Sequence, residues 1–204
     1  MRVIGLTGGI ASGKSTAARH LETRGAVMID ADKLGHRAYE PDTEAFRKVV
    51  QAFGDDIVSD DGQINRRALG GKVFGNPDEL DRLTGIVWPE IRKMALAEID
   101  AARAEGTAKA IVLEAAVLLE AGWQDIVDEV WVIYAEREQA IARAMARDGL
   151  DEAAVSARID AQMTNEQRIE QSDVAFENAT TAEALCERLD ERWAALTSES
   201  VGAA

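Results

Sequence analysis

The sequence predicts an α/β fold with a five-stranded parallel sheet and helices on both faces, and three observations predict it. Short apolar runs at Arg2–Leu6, Ala26–Ile29, Ala110–Leu113, Val130–Tyr134 and Asp173–Phe176 alternate with segments of helical periodicity, the pattern of parallel strands joined by right-handed crossovers. The first run leads into Gly8-Gly9-Ile10-Ala11-Ser12-Gly13-Lys14-Ser15, a G-x-x-x-x-G-K-[ST] turn with a helical segment behind it. From Asp42 to about Gly106 the strand pattern disappears, too long a gap for an ordinary crossover, so a helical insertion is expected there.

The chain taken in order justifies each element. Arg2–Leu6 is aliphatic and β-branched, as a strand buried on both faces must be. Gly8 and Gly13 let the turn wrap until successive N–H groups face phosphate oxygens, and the start of the helix Lys14–Glu22 adds the positive end of its dipole. Gly9, Ala11, Ser12, Gly13, Lys14, Ser15 and Thr16 are the candidate nucleotide-binding residues. Lys14 reaches the β- and γ-phosphates, the Ser15 hydroxyl enters a Mg²⁺ shell, and Thr16 adds a contact to the α-phosphate. Chance produces the pattern in about one chain per hundred of this length, and a strand before it with a helix after makes chance rarer. Ala17, Ala18 and Leu21 form the inner face of the helix.

Ala26–Ile29 ends in Asp30-Ala31-Asp32. A period of two aims both carboxylates to one side beyond the strand's carboxyl end, where open parallel sheets bind ligands; alternatively Asp32 caps a helix starting near Lys33. Helices are expected at Thr43–Phe53, Arg66–Phe74, Pro77–Leu83 and Val87–Ala104, with turns at Gly54-Asp55-Asp56 and Asp60-Asp61-Gly62. Phe46, Phe53, Phe74 and Trp88 are expected in the core of this insertion. The third strand runs through Glu114 into Leu118-Leu119-Glu120. Glu136–Arg147 is a helix on which Arg143 and Arg147 share a face. Either they cover a transferring phosphoryl group as part of a helical lid, or they pair with neighbouring acids on a solvated surface. Asp151–Met163 is a second lid helix, and Asn165, Gln167 and Arg168 precede the fifth strand. Thr181–Leu196 is amphipathic, with Leu185, Leu189 and Trp193 toward the sheet, and Thr197–Ala204 is expected to fray. The domain expectation is a core of 1–30, 107–135 and 172–204, an insertion at 31–106 and a lid at 136–171.

Composition excludes several classes. The 204 residues, 47% of them hydrophobic, suffice for one domain with insertions. Acidic residues outnumber basic ones 37 to 23, a formal net charge of −14, which argues against a nucleic-acid partner. Cys186 has no second cysteine to pair with, and His20 and His36 suggest neither a zinc site nor a nucleophilic triad. Met1-Arg2 leads straight into the first strand and no apolar run approaches the ~20 residues of a membrane span, so a cytoplasmic protein without a membrane partner is expected.

Together these segments resemble dephospho-coenzyme A (dephospho-CoA) kinase, a family that phosphorylates the ribose 3′-hydroxyl of dephospho-CoA in the last step of coenzyme A synthesis. The resemblance runs from Arg2 to about Trp193. It rests on LTGGIASGKST at 6–16, Val27-Met28-Ile29-Asp30-Ala31-Asp32, the Arg66…Leu69…Val73-Phe74 spacing, Trp88-Pro89-Glu90-Ile91, Leu118-Leu119-Glu120 and the segment Arg143–Asp148. Trp88-Pro89 stands where most bacterial members have His-Pro, and Glu114-Ala115-Ala116-Val117-Leu118-Leu119 where many have Asp-x-Pro-Leu-Leu; both places look like the kinase domain of bifunctional CoA synthase.

The resemblance implies a P-loop fold like that of nucleoside-monophosphate kinases, with ATP as donor, Mg²⁺, and dephospho-CoA as acceptor. It implies that Asp32 accepts or orients the attacking hydroxyl's proton, that Lys14, Arg143 and Arg147 stabilise charge on the phosphoryl oxygens, and that Ser15, with Asp30 through water, holds the metal. Asp32, Arg66, Leu118 and Glu120 become acceptor-binding candidates, and the insertion receives the pantetheine arm. Alternatives are a kinase for another small alcohol or a nucleoside monophosphate, and a non-catalytic nucleotide-binding protein. A GTPase switch is disfavoured, since no N-K-x-D segment occurs.

Overall fold

Five strands, β1 (Val3–Gly8), β2 (Ala26–Asp30), β3 (Ala110–Glu114), β4 (Glu129–Tyr134) and β5 (Val174–Glu177), form one parallel sheet in the order β2-β3-β1-β4-β5. The computed structural model describes residues 1–201, with side chains described to Ser198. All of β1 is buried because it has a strand on either side and helices over the sheet, which is why its sequence is apolar without alternation. At the amino ends of the strands, Asp128 accepts the Val3 N–H and Asp173 the Val130 N–H, each at 2.7 Å. The register sets Leu6 opposite Glu114 and Gly8 opposite Ile133.

Helix α1 (Lys14–Thr23) contributes Ala17, Ala18 and Leu21 to the core cluster, and α9 (Ala182–Val201) contributes Leu185, Leu189, Trp193 and Leu196. Trp131 and Phe176 pack within that cluster with ring centroids 5.3 Å apart and planes tilted by 55°. Full burial of one aliphatic side chain of this cluster, such as Leu185, is worth about 1.5–3 kcal/mol. Helix α9 continues past Leu196 to Val201, so the fraying expected from Thr197 does not begin there; the rest of that expectation, 202–204, lies outside the described residues.

The chain divides into two units. One comprises Met1–Ile29 and the chain from Ile99 on; the other is Asp30–Glu98. Within the second, α2 (Ala31–Ala38), α3 (Glu44–Phe53) and α4 (Arg66–Val73) are each capped by the residue before them. Thr43 accepts the Phe46 N–H and Asn65 the Ala68 N–H, each at 3.0 Å. Phe53, Ile57, Leu69 and Val73 are buried, whereas Phe74 is 79% exposed. That corrects the expectation of a core residue: Phe74 follows the last turn of α4, and its ring lies over Gly70. The two helices expected at Pro77–Leu83 and Val87–Ala104 are one helix, α5 (Pro77–Glu105), with Pro89 inside it. Its buried stripe of Leu83, Val87, Ile91, Ala95 and Ile99 runs through the expected break, and burial of that stripe outweighs the local breakers.

The segment after β4 forms α6 (Arg137–Asp148), α7 (Glu152–Asp160) and α8 (Asn165–Glu170). The expected second lid helix therefore stops at Asp160, and α8 is an element that the periodicity did not announce.

Candidate active site

Close approach builds the loop after β1. A Cβ on Gly8 would lie 2.3 Å from the Ile133 carbonyl oxygen, and one on Gly13, whose φ is +103°, 2.2 Å from Asn178 Nδ2. Neither position admits a larger residue. The Ser12 N–H donates to the Gly9 carbonyl at 3.2 Å, and the Ser12 carbonyl accepts from Asn178 Nδ2 at 2.9 Å. Helix α1 starts with no side-chain cap, which leaves the Lys14 and Ser15 amides as donors for an anion, while the Thr16 N–H donates to the Gly13 carbonyl at 2.9 Å. Lys14 Nζ donates to Glu114 Oε1 at 2.6 Å, with both side chains mostly buried. Because Glu114 ends β3 beside β1, its carboxylate stands at the sheet's carboxyl edge and neutralises the ammonium there.

A cavity of about 330 Å³ opens beside the loop, lined by Gly9, Ile10 and Ser12 and, from the segment after β4, by Arg137, Gln162 and Arg168 among others. Gln162 Oε1 accepts the Ile10 N–H at 3.1 Å. Arg137 holds α6 to α7 through a two-pronged contact with Asp160, at 2.6 and 3.2 Å. The Arg143 guanidinium donates one Nη to the Asn178 carbonyl at 2.9 Å, while its other Nη is buried without a partner. Asn178 thus joins Arg143 to the loop. Arg147 is not brought to it: its side chain is 62% exposed and paired with Asp148 at 2.7 Å, and that hydrogen bond raises its pKa.

Arg168 is the most buried charge in the segment from α6 to α8, its side chain 3% exposed. It donates to the Met163 carbonyl and, at 3.4 Å, to Glu120, while its Nε finds no partner. Burial lowers its pKa, and the Glu120 charge opposes that shift. Leu118, by contrast, is fully buried, and a Cβ on Gly5 would lie 2.6 Å from its Cδ1. Its place is in the core beneath β1.

In the Asp30–Glu98 unit the two aspartates separate. Asp30 is the N-cap of α2: its Oδ1 accepts from the N–H groups of Asp32 at 3.0 Å and Lys33 at 3.1 Å. Asp32 lies in the first helical turn and is exposed. The period-two expectation therefore fails, because the helix begins at Ala31, and the cap is Asp30 rather than Asp32. The Arg66 guanidinium lies 5.4 Å from the Tyr39 ring centroid. Burial raises the Tyr39 pKa, with the Arg66 charge opposing.

The model of the dephospho-CoA kinase family matches residues 2–183. The chain belongs to this family. It is 46% identical to the dephospho-CoA kinase of Geobacter sulfurreducens over 95% of this chain and 98% of that one. A solved Thermus thermophilus structure is 34% identical with a TM-score of 0.79, covering 96% of this chain and 97% of that one. The Campylobacter jejuni dephospho-CoA kinase structure, 24% identical with a TM-score of 0.63 over the same shares, shares the fold. The dephospho-CoA kinase match thus covers the loop, helices α6 to α8 and the Asp30–Glu98 unit.

Sequence reasoning passed over Glu114, Asn178 and Arg168 as site residues. Glu114 carried a usable signal: an acid closing an apolar strand, at the carboxyl edge where open parallel sheets bind ligands. Asn178 and Arg168 carried none, because tertiary contacts bring them to the loop.

Proposed function

We infer that the chain uses ATP to phosphorylate dephospho-CoA, completing coenzyme A, with the ribose 3′-hydroxyl as the acceptor atom. The observation that carries the reading is the loop with Lys14 set against Glu114, in a chain of this family. The hydroxyl oxygen attacks the γ-phosphorus, the bond from that phosphorus to the β,γ-bridging oxygen breaks, ADP leaves, and the hydroxyl proton passes to a carboxylate. Asp32, exposed and without a capping duty, is the carboxylate assigned. The Lys14 ammonium exchanges Glu114 for the β- and γ-phosphate oxygens, and the loop amides without a partner, with the Ser15 and Thr16 hydroxyls, hold the chain of phosphates. Arg143 and Arg147 supply further positive charge from the lid once it closes, which for Arg147 means releasing Asp148.

The donors on offer to a metal are all hard oxygens: the Ser15 hydroxyl, the Asp30 carboxylate through water, and the phosphates themselves. That set suits Mg²⁺, which when bound would neutralise charge on the β- and γ-phosphates. Among the described residues no cluster of three or more His, Cys, Asp or Glu could hold a metal by itself, so the nucleotide must complete the shell. Arg66 and Glu120 bind the acceptor, Leu118 supports that segment from below, and the subdomain 31–106 receives the pantetheine arm. No described helix is long and apolar enough to cross a membrane; a cytoplasmic site of action, where ATP is at hand, belongs to the same reading.

A panel of acceptors with the purified chain tests it. ADP release should depend on dephospho-CoA and fall at least 10²-fold with simple alcohols or nucleoside monophosphates. Turnover indifferent to dephospho-CoA would remove the assignment.

A further inference from the structure

We propose that Arg168 is a catalytic residue whose guanidinium contacts the terminal phosphoryl group of the nucleotide over Gly9. This rests on the reading above for the reaction but not for the contact, which needs only a nucleoside triphosphate in the loop.

Three observations converge on the contact. The guanidinium is buried and under-satisfied. Of its five N–H donors, one faces the Met163 carbonyl, one reaches Glu120 only at 3.4 Å, and Nε has no partner. A guanidinium kept out of water for structure alone would be expected to have its donors filled, because an unmet buried charge is costly. Its position is the second observation: Arg168 Nη1, which gives one of its two N–H groups to the Met163 carbonyl, lies 3.4 Å from where a Cβ of Gly9 would stand, and the residue lines the same cavity as Gly9, Ile10 and Ser12. The third is that its mounting is fixed from both ends. Thr164 and Gln167 close a capping box at the start of α8, and Asn165 Nδ2 donates to the Ala135 carbonyl at 2.9 Å at the end of β4. On the other side Gln162 is bound to the Ile10 N–H.

Of the neighbouring arginines, Arg137 is paired with Asp160 and Arg147 with Asp148; Arg143 donates one Nη to the Asn178 carbonyl and, like Arg168, keeps a buried donor unmet, but it does not line the cavity beside Gly9. The Glu120 contact is longer than a good charge-assisted hydrogen bond, so an arriving phosphate oxygen can replace it without losing a strong partner. A planar fork then meets two oxygens of the phosphoryl group, where negative charge must be stabilised during transfer.

The test uses the full chain and compares wild type, Arg168→Ala and Arg168→Lys. Calorimetry measures ATP and ADP binding in the presence of Mg²⁺, and turnover is measured with dephospho-CoA. Arg168→Ala should lower the preference for ATP over ADP at least tenfold while ADP affinity stays within threefold, and should lower kcat at least 10²-fold. Arg168→Lys should recover part of the kcat loss, since it restores the charge without the fork. An unchanged ATP-to-ADP preference, or equal losses for both nucleotides with a lowered Tm, overturns the proposal. Should the alanine variant fail to fold, a tenfold kcat loss in Arg168→Lys at unchanged Tm supports it, and full activity there overturns it. A wild type that binds ATP but ignores dephospho-CoA removes the reading of function, while the ATP-to-ADP comparison still decides Arg168.

Discussion

Asp30 and Asp32 stand two residues apart and carry different loads, since a helix starts between them. Asp30 satisfies two amides of α2; Asp30→Ala should therefore cost about 1 kcal/mol in urea unfolding. Asp32 makes no cap, so Asp32→Asn should leave stability within about 0.5 kcal/mol while turnover falls about 10²-fold at unchanged ATP affinity. Turnover at the wild-type level would discard Asp32 as the base. Glu129 offers a test by pH. Burial raises its pKa, but hydrogen bonds from Arg192 and Trp131 outweigh burial and the net shift is downward. The Trp131 bond is 2.9 Å and the shorter Arg192 contact 2.5 Å. A carboxylate with a depressed folded pKa stabilises fully above its unfolded value, about 4.3, and loses that contribution as pH falls through the folded value. Wild type should thus be more stable than Glu129→Gln at pH 7, with the gap closing below about pH 4.3. A gap that persists to pH 2 would show that the difference is packing rather than charge.

Helix α5 carries an internal proline, which removes one helical hydrogen bond and sets its ring against the carbonyl four residues earlier, that of Gly85. A glycine there lets the backbone yield, and a Cβ at that position would meet nothing within 4 Å. Pro89→Ala should accordingly raise stability by about 1–3 kcal/mol, and Gly85→Ala by up to about 1, both read as urea midpoints at constant m-value. A fall in either midpoint would mean that packing requires the residue now present there. The same helix shows where the sequence was readable and where it was not. The strands could be placed within a residue or two, because runs such as Val130–Tyr134 are short, apolar and bounded by turns. The junction inside α5 was misread because Thr84-Gly85 looks like a breaker, and only the buried stripe on either side decides otherwise. Helix α8 spans Asn165–Glu170, too short for a 3.6-residue period to show, although Thr164 and Gln167 spell its capping box.

Across the whole molecule, the loop was readable because its residues are contiguous, while its surroundings come from distant parts of the chain. Glu114 reaches it from β3, Gln162 and Arg168 from the segment between β4 and β5, and Asn178 from beyond β5, a convergence that exists only once the sheet order β2-β3-β1-β4-β5 has formed. The residues assigned to ATP all belong to the unit made of Met1–Ile29 and the chain from Ile99 on, whereas Asp32 and Arg66 belong to Asp30–Glu98. That division makes the roles separable by hydrogen exchange. A ligand at a hundred times its Kd adds about 2.7 kcal/mol to the state that binds it, and amides that open locally in its binding region slow accordingly. ATP with Mg²⁺ should slow exchange in peptides covering 8–16 and 135–168 and leave 43–75 unchanged. Dephospho-CoA should slow peptides within 31–106, and more so with ADP bound than alone if the two ligands meet in one reaction. Protection by dephospho-CoA confined to the unit that holds the loop would move the acceptor site out of the helical insertion, and with it the roles given to Asp32 and Arg66.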